Sequence, residues 1–171
     1  MRSELGKECR KLFRQMMSAE FPDYQEDKKQ VVPQGRYVWT RQHPSGIWFH
    51  ILLIIHHSQD MFTTEVGWGF DGRLPGHKLL RNEMHEIFQR PVSFRSSVFW
   101  SRKDDWWILV LRPEEHERAI LYQSDSIEQC LPLVAPAVAD AARKLREYVL
   151  PAFQKIVQMH GKNNVQETEK R

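Results

Sequence analysis

Cysteine is scarce in this sequence, because Cys9 and Cys130 are the only two among 171 residues. They stand far apart in apolar helical surroundings, and neither belongs to a CxxC or His-paired spacing. This pattern excludes a disulfide-stapled scaffold and a CxxC type of metal or redox site. A chain of this length can bury a conventional core without crosslinks, so we expect both cysteines to be reduced core thiols.

Long apolar runs and specific catalytic motifs are also missing. No apolar run approaches the roughly 20 residues that span a bilayer, and the opening MRSELGKECRK lacks the apolar region of a signal peptide. We therefore expect a cytoplasmic protein that does not enter a membrane. The sequence contains no GxSxG, GxxxxGK[ST] or GxGxxG pattern, and the stretch from Gly67 to Gly69 falls inside a predicted strand. No cofactor is predicted.

The charge balance is mildly basic, with a net charge of +3. Basic residues recur on the polar side of the first helix and in the middle of the chain, at positions 7, 10, 11, 14, 73, 78, 81, 90, 95, 102 and 103. This distribution allows a nucleic-acid footprint but favours solvated helix faces and loop tips.

The first third of the chain predicts one helix followed by a sheet. Apolar residues recur at helical spacing over residues 3–18, behind Ser3 as a candidate N-cap. A polar connection with Pro22, Pro33 and Gly35 leads to a predicted strand over residues 36–41 (RYVWTR). The turn signal QHPSG then precedes a second strand, which predicts an antiparallel meander.

The most informative segment is residues 47–70, IWFHILLIIHHSQDMFTTEVGWGF, which predicts a β-hairpin with a loop over residues 57–60. In the expected register, Ile55 pairs with Phe62 and Ile51 pairs with Val66 on an apolar core face. A slip by one residue would place this apolar set opposite Glu65 and glycines, so the pattern selects the register.

The opposite face of this hairpin is the candidate ligand site. It carries Trp48, His50 and Glu65, with Gly67 leaving space beside the histidine, and Arg36 joins it from the preceding strand. An aromatic ring opposite a strand glycine can cover bare backbone. The apolar residues of this face indicate an alternative, in which a hairpin or a helix covers it.

No metal site is predicted. His56 and His57 would point to opposite faces of a regular strand, and His50 and His56 would lie roughly 20 Å apart along it. Glu65 is the only carboxylate near His50, and one histidine with one glutamate does not form a zinc site.

The later part of the chain predicts a helix over residues 77–89, strands over residues 92–100 and 106–111, and a capping box at SIEQ from Ser126. A long apolar face over residues 134–157 predicts a final helix with a kink at Pro151. Residues 1–160 are expected to form a single α+β domain, with an antiparallel sheet of about four to five strands between an N-terminal and a long C-terminal helix. Residues 161–171 are expected to be a disordered tail.

This order of elements, together with RYVWTR and the VLPAF string in the final helix, resembles the bacterial domain-of-unknown-function family 4304. The resemblance covers most of residues 3–160 and matches least over residues 90–112. It implies an α+β fold and no known activity, so it assigns no functional residues.

Three functions remain open from the sequence. The first is a non-enzymatic module, for example of the immunity type, that binds a protein partner or a small ligand. The second is a small enzyme for a phosphate-bearing substrate, with Arg36, His50 and Glu65 as its polar group. The third is a single-stranded nucleic-acid binder that holds bases on a platform of Trp48, His50 and Arg36.

Overall fold

The chain folds into an α+β domain, as predicted. A computed structural model describes residues 1–30, 32, 34–74, 107–109, 111 and 125–168, with side chains up to residue 160. The elements in chain order are helix α1 (Ser3–Glu20), strands β1 (Gln25–Glu26), β2 (Arg36–Gln42), β3 (Trp48–Ile55), β4 (Met61–Gly69) and β5 (Trp107–Ile108), and helices α2 (Ile127–Cys130), α3 (Val134–Lys144) and α4 (Leu150–Thr168). The predicted helix over residues 77–89 and the predicted strand over residues 92–100 lie outside the described residues.

The sheet is antiparallel, and its strand order β1-β2-β3-β4-β5 repeats the chain order. The predicted hairpin register is confirmed, with Ile55 opposite Phe62 and Ile51 opposite Val66. The sequence does not predict strand β1, since Gln25 and Glu26 have no strand pattern and join the sheet by pairing with Thr40 and Trp39.

The core lies between one sheet face and the helices. Ile51 and Leu53 of β3 are fully buried there, and Phe49 stacks on Phe153 of α4 with ring centroids 4.2 Å apart. At the far edge, Phe62 stacks on Trp107 of β5 at 5.2 Å. Truncating one of these aromatic residues would cost about 3–5 kcal/mol, so these contacts fix the helices on the sheet.

Helix α1 begins differently from the prediction. Its N-cap residue is Arg2, and no side chain caps the first turn. The backbone N–H of Arg2 donates to Asp60 Oδ1 at 2.7 Å, and its Nε donates to Asp60 Oδ2 at 2.7 Å. A buried carboxylate from the β3–β4 loop therefore anchors the helix start, instead of the hydroxyl of Ser3.

Both cysteines are buried free thiols, Cys9 in α1 and Cys130 in α2. The predicted capping box is confirmed at the start of α2. Ser126 Oγ accepts from the backbone N–H of Gln129 at 3.3 Å, and Gln129 Oε1 accepts from the backbone N–H of Ser126 at 3.2 Å. These two bonds satisfy donors that a helix start leaves unpaired.

The last helical stretch contains a π-helical turn over Leu145–Val149, directly before Pro151. Proline removes a backbone donor from a helix interior, and a π turn is one way to accommodate this loss. The backbone of α4 stays helical to Thr168, so the expectation of a disordered tail from residue 161 needs correction up to that residue. Within the described residues, no helix is both long and apolar enough to cross a bilayer.

Candidate ligand site on the second sheet face

The second sheet face, opposite the core, is closed over its apolar half. Val38, Leu52 and Ile54 form a small cluster there and are only 1, 3 and 8% exposed. Val32 and Leu74 pack against this cluster. The alternative of a covered face therefore applies to this half, and the cover that the described residues provide comes from segments outside the helices and strands.

Among the described residues, this cover includes Val32, in the segment before β2, and Leu74, in the segment after β4. The backbone N–H of Asp27 donates to the carbonyl oxygen of Val38 at 2.8 Å. Gln30 Nε2 donates to the carbonyl oxygen of Gly72 at 2.8 Å and so connects the two segments. The cover is thus hydrogen-bonded both to the sheet and within itself.

His50 is the most unusual residue of this face. It lies in the middle of β3, opposite Gly67, and is fully buried. Neither of its ring nitrogens has a hydrogen-bond partner in the part of the chain that the structure describes. Burial lowers the pKa of His50, whereas the carboxylates of Asp27 and Asp71 oppose this shift. A neutral, unpaired imidazole in the interior is costly and calls for an explanation.

Arg36 and Glu65 lie on the same face without forming one cluster with His50. Glu65 is half-buried, and burial raises its pKa while the charge of Arg36 opposes the rise. Arg36 pairs with Ile54, which is four residues from His50 along β3, or roughly 13 Å at the usual strand rise. Glu65 pairs with Leu52, two residues from His50, so Glu65 is the nearer of the two to the histidine.

Trp48 lines an open groove of about 480 Å³ at the β1 edge of the second face. The other lining residues are Asp23, Gln25, Thr40, Arg41 and Gln42. Thr40 lies directly opposite His50 in the sheet, and Trp48 lies two residues before it. Two residues of the groove wall, Thr40 and Trp48, are therefore neighbours of the buried histidine.

Gly72 fixes the position of the Trp48 ring. A Cβ atom on Gly72 would lie 3.1 Å from Trp48 Cε2 and 3.2 Å from Trp48 Cδ2, so the indole ring would have to shift by a few tenths of an ångström to admit it. Its backbone also has a φ of 72°, which favours glycine. The hydrogen bond from Gln30 to the Gly72 carbonyl holds the contact in place.

The sequence pattern does not reveal most of the groove. Asp23, Gln25, Arg41 and Gln42 carry no signal of a site, because the groove forms only when β1 pairs with β2. The strand pattern of RYVWTR predicts that Thr40 lies in the sheet. Nothing in Gln25 and Glu26 predicts a further strand next to it. Among the predicted site residues, Trp48 is in the groove and Gly67 stands opposite the buried His50.

Three of the four cations on the basic side of α1, namely Arg10, Lys11 and Arg14, lie beside glutamates. Arg14 forms a bidentate pair with Glu26, and Arg10 Nη2 lies 3.6 Å from Glu26 Oε1. Lys11 contacts Glu8 at 3.1 Å. Burial alone would raise the pKa of Glu26, but the hydrogen bonds and charge of Arg14 lower it below its usual value. These pairs weaken α1 as a phosphate-binding surface.

The histidine pair differs from the prediction. His56 and His57 lie beyond the end of β3, so they do not point to opposite faces, and their rings stack at 4.6 Å. His56 Nδ1 accepts from the backbone N–H of Gln59 at 3.0 Å, which commits this nitrogen to the loop. Among the described residues, histidine, cysteine, aspartate and glutamate side chains form no group of three that could hold a metal ion.

Comparisons with protein-family models, with curated proteins and with solved structures found no match to this chain. The resemblance to family 4304 therefore stays a prediction. The functional interpretation depends on the geometry of the second face alone.

Proposed function

We propose that the protein is a non-enzymatic binding module that holds a small polar ligand in the groove beside Trp48. The observation that carries this proposal is the fully buried His50, which has no hydrogen-bond partner in the described residues and lies directly behind the groove wall. An isolated fold gains nothing from such a group. Binding of a ligand in the groove would offset the cost of burying His50, because it would change the arrangement of Thr40 and Trp48 in the groove wall.

The separation of the polar residues favours binding over catalysis. Acid–base chemistry needs its groups within hydrogen-bond reach of one reacting centre. Arg36 lies roughly 13 Å along the sheet from His50, and only Glu65 lies diagonally beside the histidine. The three residues that the enzyme hypothesis names therefore do not meet around one reacting centre in the described part of the chain.

The single-stranded nucleic-acid hypothesis also receives little support. Such proteins combine stacking platforms with a continuous basic groove. Here the cations of α1 pair with glutamates, and the cover closes the second face beyond His50. A protein partner of the immunity type and a cytoplasmic location stay predictions, for which the described surface offers no specific observation.

The proposal is tested by nuclear magnetic resonance on uniformly ¹⁵N-labelled protein. The indole N–H signal of Trp48 is assigned with Trp48→Phe, and that of Trp107 serves as an internal reference. Trp107 is buried and donates to Asp140 Oδ2 at 3.0 Å, far from the groove lining in sequence and bonded to a different element. The probes are neutral saccharides, adenosine, free arginine, free glutamate and inorganic phosphate, each at millimolar concentration.

We expect at least one probe to shift the Trp48 signal in a saturable manner while the Trp107 signal stays unchanged. Gln42→Ala in the groove should weaken that binding, whereas Gln15→Ala, an exposed glutamine of α1, should not. If no probe moves the Trp48 signal, or if both indole signals move together, the groove is not a ligand site and the proposal fails.

A further inference from the structure

We infer that the groove takes a neutral, hydroxyl-rich ring compound, of which a pyranose unit of a saccharide is the chemical type. This inference rests on the proposed function and names the ligand class of the same site. It follows from three properties of the groove, namely its charge, its single aromatic surface and its size.

Among the residues that the structure describes, the groove lining carries no net charge that would hold an anion or a cation. Arg41 Nη2 lies 3.7 Å from Asp23 Oδ2, so the two ionised residues of this lining compensate each other. The remaining polar side chains are the hydroxyl of Thr40 and the amides of Gln25 and Gln42. Hydroxyls and amides both donate and accept, which suits ligand hydroxyl groups that also do both.

The aromatic surface is supplied by Trp48, whose indole ring is in close contact with Gly72. Gly72 approaches the indole ring so closely that a Cβ atom would lie 3.1 Å from it. A fixed indole offers a flat apolar area at low entropic cost. A pyranose has the matching shape, because its ring C–H groups form an apolar face and its hydroxyl groups project from the rim.

The size of the groove fits a small ligand. Its volume of about 480 Å³ lies within the range of about 300–1,000 Å³ that is typical of small-molecule sites. Because the groove is open along the edge of the sheet, a longer saccharide could extend beyond it. Gly72 and Gln30 act in this scheme as positioning residues, since Gly72 contacts Trp48 and Gln30 holds Gly72, but neither belongs to the groove lining.

The test compares ligand classes in the same titration. The saccharide probes are the methyl glycosides of glucose, galactose, mannose and N-acetylglucosamine, together with maltose and cellobiose. We expect one or more of them to shift the Trp48 indole signal and to give nuclear Overhauser contacts between sugar ring C–H protons and that indole. Adenosine, arginine, glutamate and phosphate should bind at least about tenfold more weakly, or not at all.

Substitutions at Trp48 and Gly72 test whether the indole ring contributes to saccharide affinity. Trp48→Ala should lower saccharide affinity by about tenfold or more, whereas Trp48→Phe, which keeps a flat ring, should lower it by only a few fold. Gly72→Ala should weaken binding by displacing the indole. Gly46→Ala is the matched control, because Gly46 has a φ of 84° and a Cβ atom added to it would meet no atom within 4 Å; it should leave the affinity unchanged.

The outcomes distinguish this inference from the proposed function. If adenosine or a charged probe shifts Trp48 and no saccharide does, the ligand class is wrong and the binding function stands. If no probe shifts Trp48, the binding function itself fails. If saccharides bind equally well to wild type and to Trp48→Ala, the platform role of Trp48 is refuted.

Discussion

Replacing His50 with leucine should make the protein more stable, which is an unusual expectation for a residue buried in a β-sheet. Leucine has a similar volume and no polar atom, so it fits between Thr40 and Gly67 without leaving an unpaired group. Wild-type His50 is fully buried and its ring nitrogens have no partner among the described residues. The substitution therefore removes a desolvation cost and no hydrogen bond that the structure describes.

The size of the effect follows from the cost of an unpaired buried polar group, which is about 1–3 kcal/mol. We expect His50→Leu to raise the free energy of unfolding by about 1 kcal/mol at pH 7, because repacking recovers only part of that cost. In a chain of this length, this gain corresponds to a melting-temperature increase of about 2–4 °C.

The difference in unfolding free energy between His50→Leu and wild type should grow as the pH falls. Burial lowers the pKa of folded His50 below its usual 6.5, so the unfolded chain takes up the proton first as the pH falls. Wild-type stability therefore does not depend on the titration of His50 well above pH 6.5, and it decreases as the pH falls from 6.5 toward the lowered pKa. His50→Leu lacks this loss, and the raised pKa of Glu65 affects both proteins alike.

Urea unfolding of both proteins at several pH values between 5 and 8 measures these quantities. His43→Leu is the matched control, because His43 Nδ1 accepts from the backbone N–H of Ser45 at 3.1 Å, and removing that acceptor should lower stability. A His50→Leu protein that is less stable than wild type at every pH would refute the reasoning, since it would mean that the imidazole makes a favourable interaction in the folded state.

Three further substitutions test other parts of the structure by thermal and urea unfolding. Gly72→Ala should cost more stability than Gly46→Ala, because both are strained at positive φ but only the former also presses on Trp48; equal losses would argue against that contact. Asp60→Asn should cost about 1.5–3 kcal/mol, since asparagine keeps one acceptor for Arg2 but loses the negative charge of the buried pair, and a loss within experimental error would contradict this role. Ser126→Ala should cost about 1 kcal/mol through loss of the helix cap, and no loss would show that α2 does not depend on it.

The hairpin of β3 and β4 could be predicted from the sequence because its signal is local and periodic. Alternating residues decide which face is buried, and a slip would have placed Ile51 and Leu53 opposite glycine and glutamate. The capping box at Ser126 was predictable for the same reason, since its two partners are three residues apart.

The features that escaped prediction depend on contacts between distant residues. Arg2 starts α1 because Asp60 binds it across 58 positions, so the nearer hydroxyl of Ser3 is not used. The cover over the second face is connected by Gln30 and Gly72, which are 42 positions apart. No periodic pattern encodes such pairs, and the groove beside β1 depends on two polar residues that join the sheet only through their backbone.

The strand order has a consequence for how the molecule folds. Strands β1 to β4 follow one another in the sheet as they do in the chain, and all groove-lining residues fall between positions 23 and 48. Closing such short loops costs little entropy, so pairings of this kind form early. We therefore expect the groove to be complete before the C-terminal helices dock, and variants that weaken helix docking should speed unfolding without slowing the assembly of the groove.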